Sequence, residues 1–195
     1  MAEIAAPPAL NLALKEWGAV AHALLDGRQT VLLRKGGIHE KAFRVAGGGS
    51  FVLFPTVAHS HRERVRPEHR DVLDAGQVDV DEAGSTFVVR CGLSLVDVVE
   101  VARAEGLAEI ADLHIWTAAS VRTDRLEFRP KHPLQVLVAR AVALPQPVRL
   151  PRVEAYGGCK SWVDLPVGWD GRSGEIVHDD ARLARDAARV RAAIT

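Results

Sequence analysis

The sequence predicts an α+β domain with a mixed, mostly antiparallel sheet or a small β-barrel, flanked by helices. Short apolar runs with strand character recur at 30–33, 51–54, 87–91 and 134–144, and a segment with helical spacing lies near each end. The 195 residues are enough to bury most of the apolar surface of the unfolded chain. We therefore predict a flexible leader over 1–10, one domain over 11–178 and a C-terminal helix over 179–195.

The first half of the chain predicts a helix followed by two strands. Apolar residues recur at three- and four-residue steps over 12–25, which favours a helix capped by Asn11 and ended by Gly27. The runs 30–33 and 51–54 predict buried strands, and Pro55 is expected to end the second of them. The charged stretch 59–74 predicts a solvated helix or an ordered loop.

In the second half, 87–91 predicts a third strand, and 94–107 has helical spacing with Gly106 as its stop. The longest apolar run, 134–144, predicts the central strand. Prolines then predict an extended exit, and a glycine turn at 157–158 leads into another strand. The segment 179–194 predicts a last helix, peripheral to the sheet.

Composition limits the classes of function. The chain has 25 basic and 25 acidic residues, so any affinity for nucleic acid must come from a local patch. Two cysteines are too few for a disulfide scaffold, and no signal peptide opens the sequence. The apolar segments are shorter than the roughly 20 residues of a membrane helix. We therefore expect a cytoplasmic protein without membrane contact, and we predict no cofactor and no resident metal.

The segment Arg34, Lys35, Gly36 and Gly37 interrupts the apolar character of the strand before it. Consecutive glycine amides in a turn form an anion nest, and a guanidinium adds a bidentate donor. The segment therefore predicts a site for phosphate or carboxylate, with a plain turn carrying exposed charges as the alternative. It lacks the Lys-Ser/Thr ending of a phosphate-binding loop and the glycine spacing of a dinucleotide fold, so neither nucleotide-binding motif is indicated.

A second polar cluster follows the 51–54 strand. It contains Thr56 and His59, and we expect it to converge with the basic turn and Glu40 on one ligand site. His59 and His61 alternate on an extended segment and would point to opposite sides, so surface histidines are favoured over a metal site.

Two further interpretations stay open. A metal-dependent nuclease would use Glu16, Lys35 and Glu40 with His59, although the usual carboxylate, spacer and lysine triplet is absent. In a protein-interaction domain, Trp116 and Trp162 would be partly exposed anchors. Trp17 and Trp116 lie near basic residues and would suit base stacking if exposed, but buried core tryptophans are the commoner outcome.

An ordered series of motifs resembles a bacterial family catalogued as domain of unknown function 1802. The resemblance covers roughly 14–165 and rests on the segments 14–17, 27–30, 34–38, 54–56 with His59, 114–117 and 158–162. It implies no catalytic residue.

The opening of the chain is also similar to the barrel superfamily of pseudouridine-synthase-and-archaeosine-transglycosylase-like RNA modules and their activating-signal-cointegrator relatives. That likeness implies a groove for a nucleic-acid backbone or a modified base, lined by Arg34 and Lys35, with His59 or Trp116 close by. The leading prediction is a non-catalytic module that binds RNA or a nucleotide.

Overall fold

The computed structural model describes residues 9–35, 49–57 and 62–195. The strands are β1 Asn11–Trp17, β2 Val31–Lys35, β3 Ser50–Thr56, β4 Thr86–Glu100, β5 Leu134–Pro151, β6 Trp162–Leu165 and β7 Glu175–Ile176. The α-helices are α1 Gly18–Leu25, α2 Asp71–Val78, α3 Ala118–Val121 and α4 Asp180–Ile194. Short 3-10 turns cover Arg62–Arg64, Pro67–His69, Ala104–Leu113 and Glu154–Tyr156, and a π-helical turn covers Arg122–Glu127.

The described strands form one mixed sheet in the order β2-β5-β4-β3-β1-β6, with β7 paired to β5. Only β1 and β3 run parallel among these pairings, and the other pairings are antiparallel. The predicted α+β class with a mostly antiparallel sheet is confirmed. The barrel alternative is not realised, because β2 and β6 stand at opposite ends of the described sheet.

The pair β4 and β5 is the longest in the sheet and serves two apolar cores. Its register shifts between Val89 and Cys91, where β4 advances by two residues and β5 by five, from Val148 to Ala143. Phe87 and Val89, before this irregularity, pack in a smaller core with Phe54 and Trp169, whereas Cys91 and Leu93, after it, belong to the main core with α1 and α4.

The predicted helix over 12–25 is only half right, because its first half is the strand β1. Leu14 packs in the main core and Ala13 in the smaller one, so β1 is buried on both faces, between β3 and β6. A strand buried on both faces shows no alternation, and its apolar residues imitate helical spacing. Asn11 does not cap a helix, since its side chain bonds the backbone of Trp169.

The predicted helix over 94–107 is wrong. β4 continues to Glu100, and its last part pairs with β5 at 135–141. This segment is rich in valine, which suits a strand, and the long partner β5 decides its conformation. Pro55 does not end β3 either, because it lies opposite Glu16 in the β1–β3 register and the strand runs on to Thr56.

The last helix is confirmed, with Asp179 accepting a cap hydrogen bond from the Arg182 amide at 2.7 Å. It is not peripheral, because Ala187, Val190 and Ile194 belong to the main core. Among the described residues, no helix has the length and apolar character needed to cross a bilayer.

Candidate functional site

A buried ion pair joins the end of β1 to β2. Arg34 Nη1 donates to Glu16 Oε2 at 3.0 Å, and the Trp17 amide donates to Glu16 Oε1 at 2.9 Å. Three strands separate β1 from β2 in the sheet order, and at about 4.8 Å a step a flat sheet would hold them roughly 19 Å apart. The sheet therefore curls, and Arg34 crosses the gap between the two strands.

Two further arginines follow from this ion pair in turn: Arg125 interacts with both of its members, and Arg64 interacts with Arg125. Arg125, from the π-helical turn, lies within the electrostatic range of Glu16 and Arg34, and Arg64 Nε lies 3.3 Å from Asp124 Oδ2. Burial lowers the pKa of Arg125 from its ordinary value, and Glu16 acts in the opposite direction. A guanidinium group stays protonated in proteins at neutral pH.

Two tryptophans pack against the same place. The rings of Trp17 and Trp116 meet edge to face with centroids 4.9 Å apart, and the guanidinium carbon of Arg125 lies 5.7 Å from the Trp116 ring centroid. Trp116 is only 6% exposed. It is therefore a core tryptophan, and the hypothesis that it serves as an exposed protein-binding anchor or an open stacking platform is wrong.

We call this group the strand-end cluster: Glu16, Trp17, Arg34, Lys35, Arg64, Trp116, Asp124 and Arg125. Of the predicted site residues, Arg34, Thr56 and Trp116 meet at the end of β1, where Thr56 Oγ1 donates to the Glu16 carbonyl at 3.1 Å. Gly36, Gly37, Glu40 and His59 lie outside the described residues, so the predicted glycine nest stays a prediction.

Lys35 has a different environment from Arg34. Its ammonium donates to the carbonyls of Leu126, Phe128 and Arg129 at 3.3, 2.8 and 3.1 Å. Burial, and then the charge of Arg125, lower the pKa of Lys35 from its ordinary value. Lys35 thus fastens β2 to the end of the π-helical turn, a contact that its sequence position does not reveal.

The Lys35→Met variant is expected to lower the free energy of unfolding by about 1.5 kcal/mol, because three carbonyls lose a charged donor that is partly open to solvent. Urea unfolding measures the change, and Lys131→Met at an exposed position is the matched control. If Lys35→Met kept full stability and instead weakened phosphate or RNA binding, Lys35 would be a ligand residue as the sequence predicted.

The side chains around Glu16 and Trp162 bear on two alternatives from the sequence, a metal-dependent nuclease and a protein-interaction domain. No group of three or more His, Cys, Asp or Glu side chains suited to a metal occurs in the described part of the chain. Both Glu16 oxygens already accept hydrogen bonds, and Oε2 is held in the ion pair with Arg34. Trp162 packs edge to face on Phe51 with centroids 5.0 Å apart, and its exposure is intermediate.

Sequence reasoning missed Arg64, Asp124 and Arg125. They come from segments that read as mixed charged surface, about 50 and 110 residues along the chain from Glu16. A curled sheet brings them to β1, and no local pattern marks that approach.

The fold and cluster define an α+β domain with a curled open sheet and a buried ion pair across its gap. The chain belongs to the family described as domain of unknown function (DUF1802), whose model matches residues 13–189. This match confirms the family resemblance that rests on the ordered sequence motifs.

Among solved structures, the chain is similar to the crystal structure of ASCH from Zymomonas mobilis, at 13% identity and a TM-score of 0.45. The match covers 94% of this chain and 95% of that chain. No curated protein matches the chain. A likeness of this degree does not extend to function, and the barrel-superfamily resemblance stays a prediction.

Proposed function

We propose that this protein is a binding module for RNA or a nucleotide and that the strand-end cluster is its contact site. The observation that carries the proposal is the local charge. The cluster holds four cations, Arg34, Lys35, Arg64 and Arg125, against two carboxylates, Glu16 and Asp124, in a chain with no net charge. A local excess of guanidinium groups suits phosphate oxygens, which accept bidentate hydrogen bonds.

Within the cluster, Arg64 is the cation best placed to meet a ligand. Its side chain is about one-third exposed, and its Nε pairs with the carboxylate of Asp124. Arg34 instead holds the buried Glu16, and Lys35 holds the π-helical turn. The proposal therefore moves the contact from the glycine turn toward the two turns that carry Arg64 and Arg125. A cytoplasmic location accompanies the proposal as an expectation from the sequence.

Binding should be strongly salt-dependent, because phosphate contacts release counterions. In a titration of labelled single-stranded RNA, we expect Arg64→Glu to weaken binding by about tenfold or more and to lower the salt slope by about 1 to 2. Arg185→Glu, an equal charge change at an exposed position of α4, is the control. Thermal unfolding of each variant shows whether the fold survives.

If both variants lost RNA binding equally, the loss would be an effect of net charge alone. If Arg64→Glu bound RNA as tightly as the parent protein, the strand-end cluster would not be the contact site. Parallel titrations with chelator and with magnesium or manganese separate the nuclease alternative, which requires cleavage only with metal. Retardation without cleavage supports the binding module. If no RNA, DNA or nucleotide binds, the protein-interaction alternative takes its place.

A further inference from the structure

The side chain of Lys15 lies on the face of β1 that is turned away from the strand-end cluster. Ala13 packs in the smaller core and Leu14 in the main core. Because side chains alternate along a strand, Lys15 lies on the same side as Ala13, and Glu16 lies on the other. The Lys15 ammonium accordingly lies 5.9 Å from the ring centroid of Phe54, which belongs to the smaller core.

Arg152 is held over aromatic rings of the same core. Its amide donates to the Ser85 carbonyl at 2.7 Å. Its guanidinium carbon lies 5.4 Å from the Phe54 ring centroid and 6.0 Å from that of Phe87, distances at which a ring attracts a cation. Arg152 is exposed, and its guanidinium donates no hydrogen bond to the residues that the structure describes. Its donors are therefore free to bind an anion.

A loop before β6 brings Lys160 to the same place. The Lys15 amide donates to the Ser161 carbonyl at 2.9 Å. The Lys15 ammonium donates to the carbonyls of Gly157 and Gly158 at 3.3 and 3.1 Å, which leaves one of its three hydrogens. Lys160 is exposed, and its ammonium makes neither a hydrogen bond nor an ion pair within the described part of the chain.

These three cations repel one another. Burial, followed by the charges of Lys160 and Arg152, lowers the pKa of Lys15, and Cys159 acts in the opposite direction. No carboxylate of a described residue forms an ion pair with Lys15, Arg152 or Lys160. Like charges in proximity disfavour the charged state, and an anion bound between them removes that cost.

Two carboxylates, Asp81 and Glu82, share a cavity wall with Arg152. The hydroxyl groups of Ser85 and Thr86 donate to Asp81 Oδ2 at 2.6 and 3.0 Å, so this carboxylate already has partners on its own turn. Neither Asp81 nor Glu82 forms an ion pair with Arg152 over 9–35, 49–57 and 62–195. A counter-ion for the three cations would therefore come from solution.

We call Lys15, Arg152 and Lys160 the β1 cation patch, and we propose that it binds a phosphate group. A phosphate offers several acceptor oxygens and at least one full negative charge, and the guanidinium fork of Arg152 matches two of those oxygens. Phosphates of an RNA backbone and of a free diphosphate compound share this chemistry. The proposal does not rest on the strand-end cluster, which lies on the other face of β1.

The lysine side chains report on this site directly, since the chain has only five of them: Lys15, Lys35, Lys41, Lys131 and Lys160. The protein labelled with 13C-lysine is titrated with inorganic pyrophosphate at neutral pH and constant ionic strength. We expect the Lys15 and Lys160 resonances to shift together and to saturate with one dissociation constant, while that of the exposed Lys131 stays in place. Each signal is assigned as the one absent from the corresponding Lys→Arg variant.

The same titration separates this proposal from the proposed RNA contact, because Lys35 belongs to the strand-end cluster. A shift of Lys35 without Lys15 and Lys160 would overturn the β1 cation patch and leave the strand-end cluster as the phosphate site. Pyrophosphate that moves no lysine signal, or that moves Lys131 as far as Lys15, would also overturn the patch. These readings come from the parent protein and do not depend on how well a variant folds.

Arg152→Gln is expected to weaken pyrophosphate binding by about tenfold, the loss typical of one charge-assisted hydrogen bond. Lys160→Gln should weaken it in the same direction, and Arg185→Gln, an equal charge change at an exposed position of α4, should leave it unchanged. Pyrophosphate binding as tight as the parent's in both Arg152→Gln and Lys160→Gln would overturn the proposal.

Titration of the same variants with labelled single-stranded RNA identifies the source of the phosphate. If Arg152→Gln weakens both RNA and pyrophosphate binding, the patch takes phosphates of the RNA backbone. If it weakens pyrophosphate binding alone, the patch takes a free phosphate compound, and the site stands whether or not the protein binds RNA.

Discussion

The Asp79→Ala variant is expected to lose about 3 to 5 kcal/mol of unfolding free energy, because it removes the centre of a buried charge network. Asp79 is 0% exposed and follows α2 directly. Its Oδ2 lies 2.8 Å from His22 Nε2, and its Oδ1 accepts from Arg90 Nε at 2.7 Å and also from Arg90 Nη2. Without the carboxylate, the guanidinium of Arg90 and the imidazole of His22 lose their shared partner.

Urea unfolding measures the loss, and two variants separate its causes. Asp79→Asn keeps an acceptor for Arg90 and removes only the charge, so its loss should be intermediate. Asp74→Ala removes an α2 carboxylate whose side chain is 73% exposed, and it should change stability by less than about 0.5 kcal/mol. If all three variants unfolded alike, the network around Asp79 would contribute nothing particular to stability.

The same network has a signature in the pH dependence of stability. Burial alone would raise the pKa of Asp79, but hydrogen bonds from His22 and Arg90 outweigh it and leave this pKa below its ordinary value. A carboxyl group whose pKa is depressed on folding stabilises the protein above the unfolded-state pKa of about 3.9 and loses that effect as pH falls through the folded pKa. The stability difference between the parent protein and Asp79→Ala should therefore shrink below about pH 4.

The elements that sequence predicts well are those whose local pattern agrees with their tertiary surroundings. α4 combines a cap at Asp179 with apolar residues on one face, and β2 and β3 are short apolar runs before polar segments. β1 and the end of β4 do not agree in this way, because their neighbours in the sheet lie far away in sequence. For such segments pairing decides the conformation and local spacing misleads.

For the site, the sequence marks the polar residues that end strands but not what they contact. Arg34, Thr56 and Trp116 were foreseeable as candidates, and the structure brings all three to the end of β1. Sequence could not show that Glu16 neutralises Arg34 or that Lys35 is held by three carbonyls, because both contacts depend on how the sheet curls. Lys15 stands out in the sequence only as a member of a family motif, and its approach to Arg152 and Lys160 depends on the fold.

Gly106→Ala is expected to lower the free energy of unfolding by about 3 kcal/mol, because a methyl group has no room at this position. A Cβ atom there would lie 1.7 Å from the carbonyl oxygen of Ala193, which belongs to the last turn of α4. The same turn is also held by the segment that follows β4, since the amides of Ala102 and Arg103 donate to the Ile194 carbonyl at 3.0 and 2.9 Å. The backbone of α4 must therefore move, and these capping bonds with it.

The sequence pattern predicts that Gly106 ends a helix, where alanine would cost little stability. Gly106→Ala therefore distinguishes that prediction from close packing against the last turn of α4. Gly84→Ala is the matched control, because Gly84 has φ +66° and a Cβ there would meet nothing within 4 Å. Its cost should be only the roughly 1 kcal/mol of a left-handed conformation. Urea unfolding gives both values, and hydrogen exchange should show faster opening of the α4 amides in Gly106→Ala alone. Equal costs for the two variants would mean that α4 yields to the methyl group, and the close packing of its last turn would then contribute little to stability.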